Sequence, residues 1–147
     1  NYVSKNDIKH EFSSQKTSDC LSCAIKYLKS DIFFPYNECV KNKIDALHKT
    51  GAKFLLLYDS SYGYGICPEK WNGPVYEDVP MGYAGGLSPE NVVDNLNKIS
   101  KVVPKNYTTW IDAEGRLMKP GTREFDLGRA RAYVQKALAW QHEQNKR

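Results

Sequence analysis

Two aspartates in this chain each close an expected strand. Asp59 follows the stretch 53–58, and Asp112 follows 107–111. Between them Gly85-Gly86 follows the short apolar stretch 81–84 and leads into Leu87-Ser88-Pro89-Glu90. A carboxylate at the end of a strand can hand a proton to a substrate or take one from it. A Gly-Gly turn that feeds a helix offers backbone N–H groups and the positive end of a helix dipole, which suits a phosphate. A tight strand-to-helix connection needing no side chain explains the same glycines equally well. One strand later, Asp112-Ala113-Glu114-Gly115-Arg116 repeats the pattern. Here Gly115 permits close backbone approach, and Arg116 can fork onto a phosphate or stand as a solvated loop charge.

The elements that would position these residues alternate between strand and helix, the pattern of parallel α/β architecture. Thr17-Ser18-Asp19 predicts a cap for a helix carrying Leu21, Ala24, Ile25 and Leu28. A strand over 32–34 follows and ends at Pro35. A second helix is expected from about Asn37, with Val40, Ile44 and Leu47 on one face and Thr50-Gly51 as its stop. The continuous apolar run 53–58 reads as a strand buried on both faces. Residues 60–80 are rich in Gly and Pro and predict a long loop with room for one short helix near Glu69-Lys70-Trp71. A strand over 81–84 precedes a helix capped by Ser88, with Pro89 at its first position and Val92, Val93, Leu96, Ile99 and Val103 as its apolar stripe. After the strand over 107–111, a last helix begins near Asp126, with Leu127, Ala130, Val134, Ala137 and Leu138 expected to be buried. The strands end on one side, so Asp59, Gly85-Gly86 and Asp112 would gather on the face formed by the carboxyl ends of the sheet.

Composition narrows the function classes. The 147 residues fit one domain with its own core. Lys and Arg number 21 against 17 Asp and Glu, a net charge of +4 spread along the chain, which argues against nucleic acid or an anionic membrane as partner. The longest apolar runs fall far short of the roughly 18 residues of a membrane span. Cys20, Cys23, Cys39 and Cys67 could form two disulfides or a metal site. Buried free thiols in a reducing cytoplasm are the favoured reading. His48 and His142 read as surface residues with no ligand at metal spacing, and Ser60-Ser61 as loop polarity rather than a nucleophile.

The segment Tyr83-Ala84-Gly85-Gly86-Leu87-Ser88-Pro89-Glu90-Asn91-Val92 resembles the Gly-Gly-Leu-x-Pro-Glu-Asn-Val signature of the phosphoribosylanthranilate isomerases, the (β/α)8 barrels of tryptophan biosynthesis. There the signature joins the seventh strand to the seventh helix. Leu55-Leu56-Leu57-Tyr58-Asp59 and the glycine-rich residues after it look like that family's sixth strand and loop. Trp110-Ile111-Asp112-Ala113-Glu114-Gly115, with Pro120-Gly121 and Phe125-Asp126, looks like the eighth strand and the approach to the last helix. The resemblance covers roughly residues 32–139. It implies an α/β fold of the (β/α)8 TIM-barrel type and a sugar-phosphate isomerase that carries out an Amadori-type rearrangement by general acid–base catalysis, with neither cofactor nor metal. Position by position, it makes Asp59 the acid that protonates the ribose ring oxygen and Asp112 the carboxylate near the substrate's amino nitrogen. Gly85, Gly86, Gly115 and Arg116 would hold the phosphate of a small phosphorylated substrate.

The chain departs from the family pattern twice. The family's base is a cysteine in a Lys-x-Cys-Gly motif on the first strand, and these 147 residues contain no such motif. Ile66-Cys67-Pro68 has a similar look but follows the sixth strand. Ala113-Glu114-Gly115 stands where the family carries Ser-Ser-Gly, which sets a carboxylate beside an anion site. A whole barrel runs to about 250 residues, so the chain would supply about the last five βα units, with 8–12 as the earliest strand. Because it opens on Asn1 rather than Met, the chain is expected to be a fragment, completed by a preceding segment or by a second chain. A non-catalytic protein that binds a phosphorylated ligand or a partner on the same scaffold is the alternative function.

Overall fold

The computed structural model describes residues 33–36 (main chain), 41–59, 61 and 64–146. The expected helix over 17–28, the strand over 8–12, Cys20, Cys23, Cys39 and His10 lie outside the described residues.

Four strands form one parallel sheet in sequence order: β1 (Phe33–Tyr36), β2 (Leu55–Asp59), β3 (Met81–Ala84) and β4 (Thr109–Ile111). Pro35 does not end β1 as expected but pairs in register with Leu57. Among the described residues β1 is an edge strand, where a residue without an N–H is tolerated. Helix α1 (Lys41–Lys49) joins β1 to β2, α2 (Val92–Ile99) joins β3 to β4, and α3 (Leu127–Gln144) follows a single 3-10 turn at Gly115–Leu117. Gly51 stops α1 as its type predicts. It adopts φ +70°, and its N–H bonds the His48 carbonyl at 3.0 Å.

Side chains alternate across the sheet. Leu56, Met81 and Tyr83 are fully buried, in one cluster with Ile44 and Leu47 of α1, Trp71, and Val92 and Ile99 of α2. Each fully buried apolar side chain contributes about 1.5–3 kcal/mol. The other face carries Leu55 and Leu57 with Trp110, and it is only half-buried, so β2 is not covered on both faces as expected. Gly82 lies between Leu57 and Trp110 in register, and the indole packs across it: a Cβ there would come within 2.2 Å of the ring.

No helix forms near Glu69-Lys70-Trp71; among the described residues the whole β2–β3 connection is irregular. Its Gly and Pro content opposes helix, and aromatic burial replaces the helix's packing. Trp71 and Val79 are buried, and the Trp71 ring meets Tyr83 edge-on at 5.6 Å. Buried Asn95 of α2 pins this connection in place. Its Oδ1 accepts from Trp71 Nε1 at 3.0 Å and from Cys67 Sγ at 3.2 Å, while its Nδ2 donates to the Asn91 carbonyl at 2.9 Å.

The two later helices pack differently from their predicted stripes. Regular α2 begins at Val92, one turn after the expected Ser88 cap, although the Ser88 hydroxyl does accept from Glu90 N and its carbonyl from Val92 N. Val93 is exposed and Val103 lies beyond the helix. The last helix begins next to Asp126, as anticipated, and Asp126 caps it through Arg129 N; of its expected stripe Ala130 and Ala137 pack against the core, but Leu127, Val134 and Leu138 are exposed. The buried face of α3 is Tyr133 with the flanking Ala130 and Ala137, whose small side chains let the helix approach its neighbours closely.

Candidate functional site

Strand register sets the level of the site. Asp59 pairs with Ala84, the residue before Gly85-Gly86, and Asp112 N bonds the Tyr83 carbonyl at 2.9 Å. The ends of three adjacent strands therefore finish side by side. A cleft of about 640 Å³ opens there, and Asp59, Gly85, Gly86, Asp112, Gly115 and Arg116 all line it. These are the six residues singled out in the sequence, and the fold brings every one of them to a single cavity.

Asp59 is held by its own loop. Its Oδ1 accepts from the backbone N of Ser61 at 3.0 Å and from the Ser61 hydroxyl at 2.7 Å, and that hydroxyl accepts from Gly65 N at 3.0 Å. Ser61 is buried, so it is more than loop polarity: it fixes the carboxylate's orientation. An aspartate bonding the main chain two residues on is an Asx turn, and the Asp-x-Ser spacing carried that signal in the sequence.

The glycine pair is shaped by close packing. Gly86 has φ +64°, and a Cβ on it would lie 2.6 Å from both Cys67 N and Gly65 O. Gly85, at φ +119°, would bring a Cβ to 3.2 Å from Asp59 Oδ1. The β3 turn and the β2 loop thus touch through backbone, with Asp59 beside the contact. Asn91 holds the turn from the other side, donating to the Gly86 carbonyl at 2.9 Å and accepting from Ser88 N at 2.8 Å.

Arg129 of α3 braces the third wall. It grips Glu90 through two bonds of 2.9 Å and donates Nε to the Arg116 carbonyl at 3.0 Å. The guanidinium bonds hold the Glu90 carboxyl down at about 2. Arg116 itself reaches Gly65 O at 3.4 Å. Glu114 lines the cleft, as its place in the sequence implied, together with two residues that the motifs did not single out, Tyr64 and Arg123. Tyr133 lies nearby in α3. Burial, and after it the charge of Asp112, raises its phenol, whose oxygen has no hydrogen-bond partner among the described residues.

Cys67 is a free thiol engaged with Asn95 and does not line the cleft. His48 stands apart from the site, paired with Asp78 at 2.9 Å and stacked on Tyr76, and His142 is exposed on α3. Among the described residues no group of three or more His, Cys, Asp or Glu is placed to hold a metal ion, and no helix is long and apolar enough to cross a membrane. No protein-family model, curated protein or solved structure matches the chain.

Proposed function

We infer that the chain is the C-terminal part of a (β/α)8 barrel and acts as a sugar-phosphate isomerase resembling the phosphoribosylanthranilate isomerases. The observation that carries this reading is the meeting of two strand-end carboxylates with Gly85-Gly86, Gly115 and Arg116 in one cleft at the carboxyl ends of parallel strands. Strand order supports it: β1 to β4 run in sequence without the reversal that marks a doubly wound sheet. The half-buried face of Leu55, Leu57 and Trp110 is the one that further strands would cover, supplied by a preceding segment or a second chain.

In this reading the glycines and Arg116 form the pole that holds the phosphate, and Asp59, which adjoins Gly85, acts on the sugar with Asp112. Asp59 protonates the ribose ring oxygen as the C1–oxygen bond breaks, leaving an iminium between C1 and the amino nitrogen, near which Asp112 stands. A base outside the described residues, where the resemblance places a first-strand cysteine, then takes the C2 proton, and the resulting enol-amine tautomerises to the ketose. Ser61 holds Asp59 at the required angle.

One observation favours a second reading, ligand binding without turnover. Among the described residues no cysteine lines the cleft, and the Cys67 thiol is engaged with Asn95. An assay with phosphoribosylanthranilate, following the loss of its fluorescence, separates the two. Turnover that falls about 10²- to 10⁴-fold in Asp59→Asn with affinity retained supports the isomerase. Binding without turnover supports the second reading, and no binding removes both.

A further inference from the structure

Of the large apolar and aromatic side chains left exposed among the described residues, Tyr64 is the most exposed, at 82%, and the one that lines the cleft. Other rings of this region pack on one another. Trp71 meets Tyr83 edge-on at 5.6 Å, and Tyr58 lies 6.1 Å from Trp71 and 6.0 Å from Tyr83. Tyr64 takes part in none of these pairs. Among the described residues it is also the one aromatic residue of the cleft lining, whose other side chains are carboxylates, guanidinium groups and small or aliphatic residues.

The main chain beneath the ring is held in place. Tyr64 N donates to the Ser61 carbonyl at 3.0 Å, and Gly65 N donates to the Ser61 hydroxyl at 3.0 Å. The Gly65 carbonyl accepts from Arg116 at 3.4 Å and abuts Gly86, where a Cβ would come within 2.6 Å of it. Ser61 is the same residue that bonds Asp59 Oδ1. One turn therefore fixes both the strand-end acid and the Cα that carries the ring. A tyrosine has two side-chain torsions to settle, so a flat ligand group stacks on it at small entropic cost, and the ring leaves water as it does so. The polar groups of the lining suit a sugar and its phosphate, whereas Tyr64 offers the flat apolar surface that suits an aromatic group.

We propose that Tyr64 recognises the aromatic group of the ligand by stacking on it, so that the cleft selects N-aryl over N-alkyl glycosylamine phosphates. The proposal rests on the sugar-phosphate reading of the site inferred above, and it assigns the choice of the amine substituent to the loop after β2 rather than to the strand-end motifs.

The test is calorimetric titration of the chain with two non-reacting ligands, phosphorylated ribitylamines that carry an N-phenyl or an N-methyl group. The wild type should bind the N-phenyl ligand roughly tenfold more tightly, the size expected for one aromatic pair. Tyr64→Ala should abolish that preference by weakening the N-phenyl ligand alone, and Tyr64→Phe should keep it. The turn's bonds run through the main chain of residues 64 and 65, so neither substitution removes one. An undiminished preference in Tyr64→Ala overturns the assignment while leaving the reading of the site intact. An equal loss for both ligands also overturns it, because that marks a displaced loop rather than a lost ring. So does a wild type that binds the two ligands alike. A wild type that binds neither overturns both the assignment and the reading it rests on.

Discussion

Replacing Gly86 with alanine tests the contact that shapes the cleft. Two costs add at this position. The backbone sits at φ +64°, where an L side chain costs about 1–2 kcal/mol. The new Cβ would lie 2.6 Å from Cys67 N and from Gly65 O, both main-chain atoms that cannot rotate away. Forcing such a contact apart costs about 1–3 kcal/mol more. The sum, about 2–5 kcal/mol, is a large part of the roughly 5–15 kcal/mol that holds a typical domain together. Gly51→Ala is the matched control: φ is +70° and nothing lies within 4 Å, so only the backbone cost applies. Urea titration followed by tryptophan fluorescence should therefore place Gly86→Ala about 1–3 kcal/mol below Gly51→Ala. Phosphate affinity should fall in the first variant alone, because relief of the clash moves the loop that carries Gly65 in the cleft wall. Equal destabilisation by the two substitutions would refute the close approach of the β3 turn to the β2 loop.

Asn95→Ala should destabilise the chain by about 1–3 kcal/mol, because the Trp71 indole N–H then lies buried without its acceptor; guanidinium unfolding measures this. Ser61→Ala should lower kcat on phosphoribosylanthranilate with little change in KM, since it frees the Asp59 carboxylate to rotate, and Ser61→Thr should restore much of the loss. The Glu90–Arg129 bond gives a pH dependence with a definite sign. The folded carboxyl titrates at about 2, below its ordinary 4.5, so its contribution is present above 4.5 and is lost as pH falls toward 2. Unfolding curves of the wild type and Glu90→Gln should differ above 4.5 and converge toward 2; a constant difference over that range would remove the bond from the pH dependence.

The residues that reached the cleft as anticipated share one property: each lies at the end of a locally patterned strand. The strand patterns before Asp59 and Asp112 and the Gly-Gly turn after 81–84 are local signals, and parallel pairing in register carries all three to one level. What escaped the sequence depends on contacts between distant segments. Of the expected stripe of α3, Ala130 and Ala137 do pack against the core, but Leu127, Val134 and Leu138 are exposed and the buried centre of the face is Tyr133; spacing alone does not say which edge of an apolar stripe meets the core. The connection after β2 is similarly opaque. Its Pro and Gly content predicts a long loop with room for a short helix near Trp71, but not that the hydrogen bond from Trp71 to Asn95, 24 residues away, draws it inward. Gly86 lies between these cases, for a glycine pair before a helix is visible in the sequence, but the reason no larger residue fits is the backbone of another loop. The floor of the cleft is thus set by short-range pattern and its walls by long-range contact. Arg123 belongs to the walls: it lies between Met118 and Phe125, whose antiparallel bridge the motifs Pro120-Gly121 and Phe125-Asp126 did not indicate.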